Sequence, residues 1–252
     1  LSKKVIAEGK IHMLSASSFE ECGSSLRNNE NTPDITRRPG DGTNVRDLTR
    51  NEIQIRKDTL QIFQFLKNEI PGFENSYIID TPFTVGVRET RQIEGIYKLT
   101  TDDVVKVKKF PEETIARGCW FFDLHCPLGR CYPGNVFTYA VCSKQCKIEP
   151  PCIMKTKYYD QLLDSPYLPK GEYYDIPYGC IVAKDIDNLF VSGRCISASH
   201  EAMGSTRVIG TCFAIGEAAG TAAVMSLHEK TNPAKLNIKK LQNQLRKNGV
   251  PL

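Results

Sequence analysis

The sequence predicts a mixed α/β (α+β) fold, because short β-prone runs alternate with segments of helical periodicity. The β-prone runs are rich in Val, Ile, Tyr and Phe, and no repeat of fixed period is visible. The 252 residues correspond to one large domain or two small ones, with enough chain to bury a sizeable core. Elements of these two kinds stabilise each other when helices pack on a sheet.

The first clear element is a helix predicted over residues 50–69. Thr49 and Glu52 match a capping box, in which each side chain accepts a hydrogen bond from the backbone N–H of the other residue. Apolar residues follow at helical spacing, and the Pro-Gly pair at 71–72 predicts the end of the helix. The first 45 residues contain polar turn clusters and predict no regular element.

A β-rich stretch follows this helix. Strands are predicted at 77–79, 83–87, 93–99 and, further along the chain, 136–141. Between them, Thr100 and Asp103 indicate a second capped helix start. Residues 157–175 are rich in Tyr, Asp and Pro, which predicts an exposed connection.

The last third of the chain has the strongest pattern. Short strands are predicted at 178–182 and 189–192, with a turn at 184–188 between them. A helix of small residues is predicted at 208–228, and an amphipathic helix begins near Ile238 and stops at Gly249.

Glycines spaced four residues apart in the small-residue helix predict a close helix contact. Gly216 and Gly220 have this spacing, so a neighbouring element is expected to approach the helix backbone there. Gly216→Leu is then expected to be strongly destabilising, because a large side chain would be forced into a tight contact.

Charge and hydropathy argue against two classes of partner. The 33 basic and 29 acidic residues are dispersed, and a net charge of +4 is not the clustered basic face that nucleic acid requires. Segment 208–225 is nearly free of charge, but a membrane helix would place Glu217 near its centre, at a cost of about 2.5–3.5 kcal/mol on insertion scales. We therefore expect a soluble protein. No signal-peptide pattern follows Leu1, which predicts a cytoplasmic one.

The strand–loop–helix at 188–225 is the first candidate for chemistry. A helix amino terminus offers unpaired N–H groups and about half a positive charge, which suit a phosphate or an electron-rich ring edge. Small residues allow such a partner to approach the backbone. The alternative is that these residues only permit tight packing of the helix on a sheet.

The same region carries a family resemblance. Residues 188–222, NLFVSGRCISASHEAMGSTRVIGTCFAIGEAAGTA, resemble the carboxy-terminal signature of FAD-dependent oxidoreductases with a glutathione-reductase-like FAD/NAD(P)-binding fold. Shorter matches follow the family's order at 86–91, 99–104, 123–125 and 174–178. The resemblance covers residues 40–252. It implies residues 1–175 as a substrate-side or cap α+β region, and 176–252 as the carboxy-terminal strand–helix part of the FAD-binding domain.

The resemblance also implies roles for individual residues. It implies a hydride transfer between a small organic substrate and FAD, with catalytic or substrate-facing positions at Arg88, Glu89, Arg91 and His200. The implied cofactor-binding residues are Gly193, Arg194, Arg207, Val208, Ile209, Gly210 and Thr211. The alternatives are a structural ion pair between Arg88 and Glu89, and a loop histidine bonded to backbone at His200.

One family feature is missing from the 252 residues. A complete member begins with a strand, a G-x-G-x-x-G turn and a helix that holds the ADP half of FAD. The only G-x-G here is Gly40-Asp41-Gly42, with Val45 at the last position of the motif. The chain therefore resembles the carboxy-terminal part of such an enzyme. We expect the missing FAD-binding half to be supplied by an amino-terminal segment or by a partner subunit. Otherwise, self-association is expected to cover the surface that this half would bury. A non-catalytic module that binds a partner chain and no cofactor is the alternative.

The cysteines raise a separate alternative. Segment 119–152 holds six of the ten cysteines, and the alternative interpretation of this segment is a zinc or iron–sulfur site. The candidate ligands are Cys126, Cys131, Cys142 and Cys146. No pair has the C-x-x-C spacing of strong metal motifs, so we expect no metal and thiols rather than a disulfide framework.

Overall fold

A computed structural model describes residues 8, 22–24, 29–33, 36–124, 157–158, 161–162, 165 and 167–252. The chain divides into two compact units. The first comprises Leu1–Val87 with His125–Asp164, and the second comprises Arg88–Leu124 with Ser165–Leu252. The predicted strand at 136–141 and the four candidate metal-ligand cysteines lie outside the described residues. The domain boundary after residue 175 stays a prediction.

The described residues of the first unit include one long helix. Strands β1 (Cys22–Ser24) and β2 (Asn31–Pro33) pair antiparallel, and helix α1 spans Val45–Glu69. Asn44 caps α1, because its side chain accepts hydrogen bonds from the N–H groups of the first turn. The helix ends before the Pro-Gly pair at 71–72, as predicted.

The predicted start of α1 is wrong, because the Thr49–Glu52 pair does not cap the helix. The Thr49 hydroxyl donates to the Val45 carbonyl inside the helix, at 2.8 Å. The Glu52 carboxylate binds Arg56 and accepts from the Val85 N–H instead. Because Asn44 caps the helix first, five residues earlier than Thr49, the later pattern is left in the helix interior.

A buried carboxylate lies on the inner face of α1. Asp58 is buried beside Ile62, Phe65 and Leu66 of the same helix. Arg38 donates two hydrogen bonds to it, at 2.6 and 2.7 Å, and this bidentate pairing satisfies the buried charge.

The strands predicted at 77–79 and 83–87 are wrong. This stretch forms no strand, and Phe83 is 95% exposed. Glu52 and Arg56 of α1 hold it by bonds to the backbone at 82–85. Its β-branched and aromatic residues have no neighbouring strand among the described residues to pair with, so their β propensity has no effect.

The second unit is built on a small antiparallel sheet. Strand β3 (Thr114–Gly118) pairs with β4 (Tyr174–Pro177), and a bulge lies between Thr114 and Ala116. Its helices are α2 (Thr101–Val105), α3 (His200–Thr206), α4 (Ile209–Glu229) and α5 (Ile238–Lys247). The predicted mixed α/β class is confirmed. The capping box of Thr100 and Asp103 is also confirmed, since both of its hydrogen bonds are present at the start of α2.

Three segments of the second unit cross in its interior, at residues 93–99, 178–183 and 195–198, and are called the crossing segments. The N–H of Tyr97 donates to the Gly179 carbonyl at 3.1 Å, and the N–H of Leu99 donates to the Ser197 carbonyl at 3.0 Å. The strands predicted at 93–99, 178–182 and 189–192 are wrong, because these segments form only isolated bridges, which pair Gly95 with Ala183, Leu99 with Ala198 and Val182 with Phe190. The predicted turn at 184–188 is present, with Asn188 at φ 56°.

Helix α4 packs against β3 and α5 through one face. The buried residues of that face are Thr211, Ile215, Ala218, Ala219, Ala222 and Ser226. Helix α5 buries Leu241 and Leu245 and ends before Gly249, as predicted.

The opposite face of α4 is exposed and apolar, and is called the outer stripe. It consists of Ile209, Phe213, Gly216, Gly220, Val224 and Leu227. The four large side chains are between 54% and 78% exposed. A Cβ at Gly216 would meet no described atom within 4 Å, so the predicted tight contact at Gly216 is wrong.

By length and composition α4 could cross a membrane, and it is the one such helix in the described part of the chain. Its inner face nevertheless packs on protein, and Glu217 accepts a hydrogen bond from Asn248 at 2.6 Å.

Candidate functional site

The amino terminus of α4 is open and uncapped. Its N-cap residue, Val208, has no side chain that can accept a hydrogen bond. The first N–H within the helix pattern is that of Cys212, which donates to Val208. Helix geometry therefore leaves the N–H groups of 209–211 without an intrahelical acceptor. Gly210 is exposed, and a Cβ there would meet no described atom within 4 Å.

A short 3-10 turn, Gly193–Cys195, lies beside this helix start. The Arg194 Nε donates to the Arg207 carbonyl, at 3.3 Å. Gly193 has φ +63°, and the space where a Cβ would be is also open. The residues that the resemblance implies for the cofactor thus surround one helix terminus, with two open glycines among them.

The loop predicted before α4 is wrong, because residues 200–206 form helix α3. Ser199 is its N-cap, and its hydroxyl accepts from the Ala202 N–H at 3.3 Å. The sequence contains a signal for this helix start, since Ser199 is a favoured N-cap residue and is followed by an acidic residue and by good helix formers. Helix α3 places His200 in its first turn, on a rigid element rather than a loop.

Five charged or titratable side chains meet near α3, and together they are called the ionic cluster. Its members are Arg88, Glu89, Asp123, His200 and Arg207. The two oxygens of Glu89 lie 2.8 Å from His200 Nδ1 and 3.0 Å from an Arg207 guanidinium nitrogen. Arg88 binds the Asp123 carboxylate at 2.5 Å. Arg207 joins the two pairs, because it also donates to the Asp123 carbonyl.

The ionic cluster keeps Glu89 ionised. Burial acts to raise the pKa of this carboxyl group, but the hydrogen bond with His200 and the charge of Arg207 outweigh it and hold the pKa below its ordinary value. The Arg207 side chain is only 8% exposed, so its charge acts on Glu89 with little screening by water.

Both of the simpler alternatives for these residues are wrong. Arg88 and Glu89 do not pair with each other, since Arg88 binds Asp123 and Glu89 binds Arg207 and His200. His200 binds a carboxylate rather than backbone. Arg207 points into the ionic cluster instead of offering its guanidinium at the start of α4.

Arg91 is not bonded to any member of the ionic cluster. It is exposed, and it makes no hydrogen bond or ion pair with any residue that the structure describes. Asp123 is the member of the cluster that sequence reasoning missed. Its segment matches the family pattern, but the match gave no indication that Asp123 would bind Arg88.

The described residues hold no group of side chains suited to a metal ion. Four of the described cysteines, Cys119, Cys180, Cys195 and Cys212, are free thiols. Burial raises the pKa of the Cys180 thiol to about 12, so this thiol is neutral and unreactive at physiological pH.

A family model described as FAD dependent oxidoreductase matches residues 7–245 of the chain. The match covers nearly the whole sequence and begins further towards the amino terminus than residue 40. No curated protein and no solved structure matches the chain.

Proposed function

Because the chain belongs to the family of FAD-dependent oxidoreductases, we propose that it transfers a hydride between a small organic substrate and FAD bound at the start of α4. The observation that carries this proposal is the uncapped terminus of α4, which is flanked by the open glycines Gly193 and Gly210. FAD supplies the redox chemistry when it is bound, and the protein supplies orientation and electrostatics.

The helix start fits the chemistry of the cofactor. The free N–H groups of 209–211 and about half a positive charge favour an electron-rich ring edge or a phosphate. Gly193 and Gly210 leave their backbones open to close approach, and Arg194 adds a cation beside them. In this proposal Arg207 binds no cofactor atom directly and holds the ionic cluster next to the helix start.

The substrate side of the proposal uses the segment 88–91 and His200. Arg91 is an exposed cation with no described partner, which suits recognition of a carboxylate or phosphate on the substrate. Arg88 is already bonded to Asp123, and its role is to orient that carboxylate towards Arg207. His200 is a titratable member of the ionic cluster, and its side chain is 38% exposed, so it lies where a substrate can approach.

A partner completes the proposed site. The 252 residues contain no G-x-G-x-x-G turn, so we propose that the phosphates of FAD are held with a second polypeptide segment that carries one. The outer stripe of α4 is the surface that this partner, or a second copy of the chain, would cover. We also propose a cytoplasmic location, which the free thiols described in the second unit support because thiols stay reduced in that compartment.

The proposal is tested by titrating the purified chain with FAD while flavin fluorescence is followed. We expect weak binding by the isolated monomer, and tighter binding when the chain associates. Gly210→Asp puts a carboxylate at the start of α4 and is expected to abolish that binding, while His228→Asp, at an exposed position near the end of the same helix and outside the outer stripe, is the control. Tight stoichiometric binding by a monomer would contradict the shared site. A chain that never binds FAD in any associated state would support the non-catalytic module.

A further inference from the structure

We propose that Glu89 and Arg207 are positioning residues that hold His200 as a proton acceptor, with Nε2 as the accepting atom and a substrate hydroxyl or amine as the donor. This inference rests on the proposed function and names a chemical class for its substrate. It comes from the geometry of the ionic cluster, in which one carboxylate touches both His200 and Arg207.

The contact with Glu89 determines which nitrogen of His200 carries the proton. An ionised carboxylate can only accept hydrogen bonds, so Nδ1, at 2.8 Å from Glu89, must be the N–H donor. A neutral imidazole has a single N–H, and its other nitrogen is then a bare acceptor. In the neutral ring, Nε2 is therefore the unprotonated nitrogen, and its lone pair can accept a proton.

Arg207 prevents Glu89 from turning away. Its guanidinium binds the second Glu89 oxygen at 3.0 Å and is itself held by the carbonyl of Asp123. With both oxygens occupied, the carboxylate has one orientation, and the imidazole plane follows it. Partners behind an imidazole orient metal-binding and catalytic histidines in the same way.

The His200 Nε2 atom is buried and has no hydrogen-bond partner in the described part of the chain. An unpaired buried acceptor costs about 1–3 kcal/mol, so such atoms are rare in native structures. The side chain as a whole is 38% exposed, so the ring lies at the surface of the second unit although Nε2 is shielded from water. A substrate O–H or N–H is the donor that this atom lacks.

The proton and the electrons of the proposed oxidation are accounted for separately. The substrate O–H or N–H bond breaks, its proton goes to Nε2, and its electron pair forms the second bond of a C=O or C=N group. The substrate carbon would give up its hydride to FAD held at the start of α4, which would supply the oxidising power of the reaction. The resulting imidazolium stays paired with Glu89, which offsets the new charge.

The other charged groups near His200 are already paired. Arg207 is paired with Glu89, and Arg88 is paired with Asp123. Glu201, the next residue on α3, is buried and accepts from the Thr101 hydroxyl. Glu89 is therefore the group whose charge acts directly on the ring of His200.

The tautomer can be measured on the full chain without FAD. Long-range proton–nitrogen correlation spectra of the 15N-labelled protein report both ring nitrogens of each of its four histidines, and His200→Gln assigns the signal. We expect neutral His200 to carry its proton on Nδ1. A proton on Nε2 would overturn the proposal.

Variants of Glu89 separate positioning from a merely structural role. Glu89→Gln keeps an oxygen that accepts from Nδ1–H and is expected to keep the tautomer. Glu89→Ala removes it and is expected to release the ring to the Nε2–H form. Glu94→Ala, an exposed glutamate of the same segment, is the control. If Glu89→Ala does not fold, the wild type and Glu89→Gln still decide the tautomer.

The acceptor role is tested in the FAD-loaded protein with a primary alcohol, an α-hydroxy acid and a primary amine as probes. His200→Gln is expected to lower kcat about 100-fold or more, the usual contribution of a general base. His228→Gln, an exposed histidine on α4, should leave it unchanged. An unchanged kcat in His200→Gln would overturn the acceptor role alone. Absence of FAD binding would overturn both the proposed function and the acceptor role. The tautomer of His200 is measured without FAD, so that result does not depend on FAD binding.

Discussion

Glycines in two regions of the second unit have opposite surroundings. A Cβ at Gly95, in the crossing segments, would lie 2.7 Å from the Gly179 carbonyl oxygen and 2.8 Å from the Ser197 Cβ. A Cβ at Gly216 or Gly220, on the outer stripe of α4, would meet no described atom within 4 Å. In the crossing segments glycine is needed because the neighbouring chain segments leave no room for a Cβ atom. On α4 the glycines have no described neighbour, so they leave the helix backbone open at its surface. The spacing of Gly216 and Gly220 in the sequence suggested a close contact on α4, which the structure does not show. No spacing indicated the close contact at Gly95, which the structure does show.

Among the glycine substitutions, Gly95→Ala should show the largest effect. The methyl group would meet backbone atoms that cannot move without breaking the crossing, so we expect a loss of about 3 kcal/mol in the free energy of unfolding. Denaturant unfolding measures it. Gly86→Ala, at an exposed glycine with open space around it, is the control. Equal stability of the two variants would mean that the crossing is looser than described.

The contrast between the two faces of α4 can be tested with residues two positions apart. Ile215→Ala removes a fully buried side chain and is expected to cost about 2–5 kcal/mol. Phe213→Ser changes a side chain that is 75% exposed, with little difference in helix propensity, and is expected to change stability by less than about 0.5 kcal/mol. A large loss for Phe213→Ser would show that the outer stripe is covered in the purified chain.

Gly204→Ala lies between the two extremes. The new Cβ would be 2.7 Å from the end of the Leu124 side chain, which can shift, and alanine favours the helix. We expect a net loss of about 1 kcal/mol, since the overpacking exceeds the gain in propensity. A rise in the thermal midpoint would mean that Leu124 moves freely.

Gly216→Ala should show the smallest effect, and with the opposite sign. With no described atom near the new methyl group, the variant gains helix propensity and is expected to be more stable by about 0.5–1 kcal/mol. Thermal unfolding of the isolated chain measures this gain. A loss of stability would instead restore the close contact that the Gly216–Gly220 spacing suggested.

Local signals with a single short-range cause were predicted well. The Thr100–Asp103 capping box and the end of α5 at Gly249 depend on residues within one turn of the element. The Thr49–Glu52 pattern looked the same but failed, because Asn44 had already started the helix. The β-prone residues at 77–87 failed for another reason, since a strand needs a partner and no described strand pairs with them.

The candidate site was predicted only as a set of residues. Glu89, His200 and Arg207 were named from the family resemblance, but their contacts join positions up to 118 residues apart. No spacing rule connects such positions, because the fold of the second unit brings them together. For the same reason Asp123 was missed and Arg207 was assigned to the cofactor.

The crossing segments also have a consequence for the order of events during synthesis. Segment 93–99 makes its backbone hydrogen bonds with residues near 180 and near 197, so its N–H groups have no final partners when they leave the ribosome. Such distant contacts close late, because the intervening chain must be restrained first. The interior of the second unit can therefore form only after residue 198 has emerged. Until then, the apolar residues of 93–99 remain available to chaperones.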